Sequence, residues 1–185
     1  VDKNPLIAKL NKEVPGAILE SRRFGRSGIT SIWLESESIV QVARCLQTLP
    51  ELMMDWLENF SLVEFEDVLV ATYFVTSSKT KQSLILRVSA VPDSPTTRVQ
   101  FSSVRSVWPM AEPMEKEAED LFGIIFKKEP DASGFVPEQE TRSHLLPENW
   151  VGFPLRKGYV FPTEVYGLSH SSKNKRDLDK EVVPQ

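Results

Sequence analysis

The first apolar residues come at helical spacing. Leu6, Ile7 and Leu10 share one side of NPLIAKLNKEV and Pro15-Gly16 stops the run, so a short N-terminal helix is predicted. The period then shortens toward two. AILESRRF and ITSIWLE flank the turn Gly25-Arg26-Ser27-Gly28 and predict a hairpin with Ile18 and Ile32 facing inward. Ser38, followed three residues later by Gln41, has the pattern of a capping box opening a helix whose Ile39, Val42, Ala43 and Leu46 form one stripe. The pattern repeats at Thr48 and Glu51 around Pro50, and Leu52, Met53, Trp56, Leu57 and Phe60 continue an apolar face. Two helices are predicted here, or one bent at Pro50.

The strongest strand signal follows. VLVATYFVTS and SLILRVSAV enclose the polar turn SKTKQ, and the first is so continuously apolar that a central place in a sheet is expected. After the loop PDSPTT, RVQF suits a short strand, and Ser102 can cap a helical turn through SVRSVW to Pro109. Pro113 to Phe122 then has the marks of a three-turn helix. Pro113 suits its start, Glu115 and Glu117 complement the positive end of the dipole, and Gly123 supplies a left-handed cap. Met114, Ala118, Leu121 and Phe122 share one side of it.

Beyond Ile124 the texture changes. Pro130, Pro137, Pro147, Pro154 and Pro162 prevent a long helix, and Gly134, Gly152, Gly158 and Gly167 interrupt any strand. Yet Phe126, Phe135, Trp150, Phe153, Tyr159, Phe161 and Tyr166 are more rings than disordered segments carry, so an extended arm that buries them on its own domain or on a partner is inferred. The predicted class is α+β: a small mixed domain with an antiparallel-rich sheet packed by helices, then an irregular arm. The expected divisions are a core at 1–126, a partner-binding arm at 127–169 and a polar tail at 170–185.

Length and composition fit one globular domain with an appendage: 185 residues, 41% hydrophobic and 26% charged. A net charge of −4 argues against nucleic acid, and no apolar run approaches the length of a membrane span. The first residues lack a signal-peptide core. Cys45, the only cysteine, cannot form an internal disulfide, and its place beside an apolar helix stripe suits packing better than reactivity.

The segment EKEAEDLFGIIF gathers four carboxylates in six residues before turning apolar. Three readings stay open for Glu115, Glu117, Glu119 and Asp120: an acidic surface facing a partner or paired with arginine, simple solvation, or catalysis by Glu117 and Asp120 in a stand-alone hydrolase. A carboxylate-bridged metal pair would need Glu-x-x-His on facing helices, and neither His144 nor His170 fits. No G-x-S-x-G, phosphate loop, H-E-x-x-H or Cys-x-x-Cys is present. Farther on, ENWVGFPLRKGYVFP sets Trp150, Phe153 and Phe161 around Arg156-Lys157, the composition of an interface hot spot. Arg156 is also a candidate to pair with a carboxylate of the acidic helix and pin the arm across it.

Together, WPMAEPMEKEAEDLFGIIF and LLPENWVGFPLRKGY resemble the C subunit of the proton-pumping NADH-quinone oxidoreductases, the thirty-kilodalton subunit family of respiratory complex I. Glu115, Glu117, Asp120, Leu121, Phe122, Gly123 and Ile124 match the first family motif; Trp150, Gly152, Pro154, Leu155, Arg156 and Lys157 match the second. Related subunits of energy-converting membrane-bound hydrogenases are similar, and Lys116, Glu129, Phe153 and Gly158 depart from the family pattern. The resemblance implies a non-catalytic structural subunit with no cofactor of its own. It would pack against the quinone-cavity subunit and iron-sulfur subunits at the cytoplasmic side of the membrane, with iron-sulfur clusters, FMN and quinone held by those partners. The surface expected to meet them comprises Glu115, Glu117, Asp120 and Phe122 on the helix and Arg142 beyond it. Trp150, Phe153, Pro154, Arg156, Lys157, Tyr159 and Phe161 complete it from the arm.

Overall fold

Alternation of buried and partly exposed residues along VLVATYFVT organises the sheet: Leu69, Ala71, Tyr73 and Val75 are buried, and each neighbour between them is not. A computed structural model describes residues 5–24, 28–92, 98–128, 145–147, 150–161, 164–165 and 168–169. Helix α1 (Pro5–Glu13) leads into the hairpin β1 (Ile18–Phe24) and β2 (Ile29–Leu34), then α2 (Ile39–Thr48). Strands β3 (Trp56–Phe65), β4 (Val68–Thr76) and β5 (Ser83–Ala90) follow, then β6 (Gln100–Ser102), α3 (Ala111–Phe122) and β7 (Ile125–Lys127). Two-residue strands β8 (Glu164–Val165) and β9 (Leu168–Ser169) pair with each other.

Five strands form one sheet in the order β1-β2-β5-β4-β3. Its neighbours are antiparallel except β2 and β5, which run parallel because α2 and the β3–β4 hairpin lie between them in the chain. The expected α+β class, with β4 inside the sheet, is what forms. Ile32, Leu34, Leu84, Leu86 and Val88 continue the buried face of β4, and α2 covers it with Ile39, Val42, Ala43 and Leu46. Trp108, Phe101 and Phe126 close the core, and the indole Nε1–H of Trp108 donates to the Met54 carbonyl at 2.9 Å.

Two local expectations fail for physical reasons. Ser38 does not cap α2 with its side chain. The chain enters through a 3-10 turn, Ser36–Ser38, and at φ −87°, ψ −8° Ser38 is already helical rather than extended as a capping residue must be. The helix predicted beyond Pro50 is instead a turn followed by β3. A bulge between Leu57 and Asn59 leaves Glu58 out of the strand register and changes which residues face the core. Leu57 and Phe60, three apart, therefore point the same way on a strand and imitate helical spacing. Pairing with β4 decides the outcome over local propensity.

Candidate functional site: helix α3 and the 150–161 loop

The acid cluster separates into groups with different fates. Glu115 is fully buried on the inner side of α3, where three donors surround it: Ser103 Oγ–H at 2.7 Å, the Val104 N–H at 3.0 Å and Arg105 Nε–H at 2.8 Å. Burial still pushes its carboxyl above the ordinary carboxylate range, because these donors only partly offset lost hydration. The nearby Tyr73 hydroxyl is buried without a partner among the described residues, and its pKa is raised well above the usual value, first by burial and then by Glu115. Glu119 accepts the Phe126 N–H at 2.9 Å, tying the helix end to β7, and Asp120 accepts the Leu145 N–H at 2.7 Å. Glu117 is exposed. Glu112 pairs with Lys116 one turn on at 3.1 Å, and that hydrogen bond is the main reason its carboxyl is lowered.

The four carboxylates thus have different surroundings: one accepts from three donors of the chain, two anchor backbone, and one faces water. Glu115 and Phe122, expected on a partner-facing surface, point instead into the core. They serve any interface only by fixing α3. The sequence signal was available, since Glu115 stands on the same helix side as Ala111, Ala118 and Phe122.

Gly123 ends α3 in the left-handed region at φ +69°. The ring of Phe153 lies so close that any Cβ at Gly123 would collide with it, so this glycine both caps the helix and seats the loop. The Leu155 N–H donates to the Leu121 carbonyl at 3.1 Å, and Arg98 stands over the Phe153 ring at 5.6 Å. Glu64 on β3 takes the loop's cationic end: its Oε2 accepts the Lys157 N–H at 2.6 Å, and its Oε1 lies 3.3 Å from Arg156 Nε. Arg156 therefore reaches β3, not the acidic helix. Helical spacing around Leu57 and Phe60 conceals Glu64 in the sequence; on a strand it is an acid on the core-facing side after Leu62, a position that requires a cation.

Within the loop, Trp150 stacks on Tyr159 at 6.3 Å, and Phe161 meets both edgewise at 5.9 and 6.4 Å. Gly152, at φ +87°, lets the Tyr159 ring approach. Lys157 Nζ lies 5.2 Å from the Phe65 ring. Pro154 is half-buried beside these contacts. Val151 and Val160 are 82% and 84% exposed, and Leu155 and Phe161 also face outward. Arg142, His144, His170 and the tail lie outside the described residues.

Among the described residues, no group of three or more His, Cys, Asp or Glu side chains is placed to hold a metal ion. No helix among them is long and apolar enough to cross a membrane. Cys45 is half-buried, and burial raises its thiol away from the reactive range.

The family described as the respiratory-chain NADH dehydrogenase 30 Kd subunit matches residues 32–165. The NADH-quinone oxidoreductase C subunit of Roseiflexus sp. (strain RS-1) is 32% identical over 160 residues, covering 85% of this chain and 83% of that protein. The NADH-quinone oxidoreductase C/D subunit of Shewanella woodyi (strain ATCC 51908 / MS32) is 30% identical over 153 residues, 76% of this chain but 23% of the relative. Among solved structures, a chain of the membrane-bound sulfane sulfur reductase, an archaeal respiratory membrane complex, superposes with a TM-score of 0.53 over 66% of this chain and 68% of that one. At 16% identity this likeness shows the fold alone.

Proposed function

Because this chain belongs to the family of respiratory-chain NADH dehydrogenase 30 Kd subunits, we propose that it is a non-catalytic packing subunit whose α3 and 150–161 loop position electron-carrying neighbours. The observation that carries this reading is the loop's construction. Glu64, the Leu121 carbonyl and the Gly123 notch hold it on the domain, yet Val151, Leu155, Val160 and Phe161 project outward around a ring cluster. A loop tied to its domain while presenting apolar side chains suits a hot spot, because those ties reduce the entropy a partner's binding must remove.

On this reading residues 127–169 act as the arm, with Glu117, Arg142, Trp150, Phe153, Pro154, Lys157 and Tyr159 at or behind its contact surface. The quinone-cavity subunit and iron-sulfur subunits are the proposed neighbours, at the cytoplasmic side of the membrane, and they hold the clusters, FMN and quinone. A relative whose single chain is named as a C/D subunit supports a direct neighbour in the complex, the one called D.

The test introduces Val160→Asp and Glu117→Lys into the membrane complex. Incorporation of the chain is expected to fall while the purified variant keeps the circular dichroism and unfolding midpoint of the parent. A complex that assembles fully but has lost turnover would point to chemistry in this chain instead.

A further inference from the structure

The sheet has a second face, turned away from α2 and the core. It carries Val63 on β3, Val70 and Phe74 on β4, Ile85 and Arg87 on β5, Ser31 and Trp33 on β2, and Phe24 at the end of β1. Registration aligns Trp33, Arg87 and Thr72 in one row and Ser31, Ile85 and Phe74 in the next. At its centre the Arg87 guanidinium lies 5.5 Å from the Phe24 ring and 5.6 Å from the Trp33 ring. Both rings attract this cation. Arg87 Nε and Ser31 Oγ are nevertheless both buried with no hydrogen-bond partner among the described residues. Glu20, the acid opposite Trp33 on β1, is paired with Arg22.

A guanidinium beside two rings and without a side-chain acceptor among the described residues has a specific complement. Arg87 as a whole is half-buried, so a carboxylate can meet the guanidinium's outer edge while apolar side chains cover the surrounding surface. We propose that this face is a second protein interface, occupied by a segment of a neighbouring subunit that lays apolar side chains over Val63, Val70, Phe74 and Ile85 and brings an Asp or Glu to Arg87. The chain is then held on both sides, by this sheet face and by the α3–loop surface. The inference rests on the chain being a subunit of a complex, as its family membership establishes, and not on the α3–loop reading, so the two fail separately.

A photo-crosslinking residue placed at Ile85, and separately at the exposed Val63, is irradiated in the intact membrane complex and its adducts are mapped by mass spectrometry. Both positions are expected to join one peptide of another subunit, within a few residues of an Asp or Glu. Arg87→Glu should reduce that adduct about tenfold or more, and exchanging the partner's acid for Arg should restore it. An adduct to this chain's own residues 129–144 or 170–185, to a second copy of the chain, or none at all overturns the proposal. So does an adduct unaffected by Arg87→Glu in a complex that still assembles.

Discussion

Trp108 and Trp150 are the same residue put to opposite uses. The first is 1% exposed, packed among core side chains, with its indole N–H satisfied by the Met54 carbonyl. The second stacks on Tyr159 in a surface loop, and its Nε1 is buried without a partner among the described residues. One region is finished by its own chain; the other is ordered but incomplete. Stability resides in the sheet, α2 and the 99–126 segment, whereas the 150–161 loop spends its aromatic surface on presentation.

Substitutions should separate the two regions. Trp108→Ala is expected to lower global stability by about 3–5 kcal/mol in urea unfolding of the isolated chain, whereas Trp150→Ala should cost about 1 kcal/mol and act mainly on incorporation into the complex. Comparable unfolding losses would erase the distinction. Glu115→Ala removes the acceptor of three donors and leaves Arg105 without its buried partner, so a loss of about 3 kcal/mol is expected. Glu117→Ala should stay within about 0.5 kcal/mol, measured the same way.

Much of this contrast is legible in the sequence, and the parts that are not have identifiable causes. The β4–β5 hairpin and α3 can be read because their apolar periods run unbroken and Gly123 marks an end. β3 cannot, since its bulge at Glu58 disguises a strand as a helix and hides Glu64 with it. The partition of the acid cluster is legible only in part: helical spacing puts Glu115 on the side of Ala118 and Phe122, but does not show that Ser103 and Arg105 meet it from the preceding turn. Local spacing carries no record of such meetings.

Smaller effects sharpen the picture at the joint between the regions. Gly123→Ala places a side chain at positive φ, at a cost of about 1–2 kcal/mol, and pushes Phe153 from its seat. Proteolysis should then cut the 150–161 loop faster while β4 stays protected; equal protection of the loop would deny that Gly123 seats it. The smallest effect is a pH slope. Between the ordinary carboxylate pKa and the raised value of Glu115, the native state holds a proton that the unfolded chain has released. Stability assigned to this group therefore falls as pH rises through that window. Glu115→Gln should remove that part of the slope, and an unchanged pH profile would show that Glu115 titrates normally.

Amide hydrogen exchange, compared between the isolated chain and the assembled membrane complex, bears most directly on the division of labour between sheet and loop. Strands β4 and β5 should be equally slow in both, while amides of residues 150–161 should slow markedly on assembly. Loop amides that exchange at the same rate in both states would contradict the assignment of this surface to a partner.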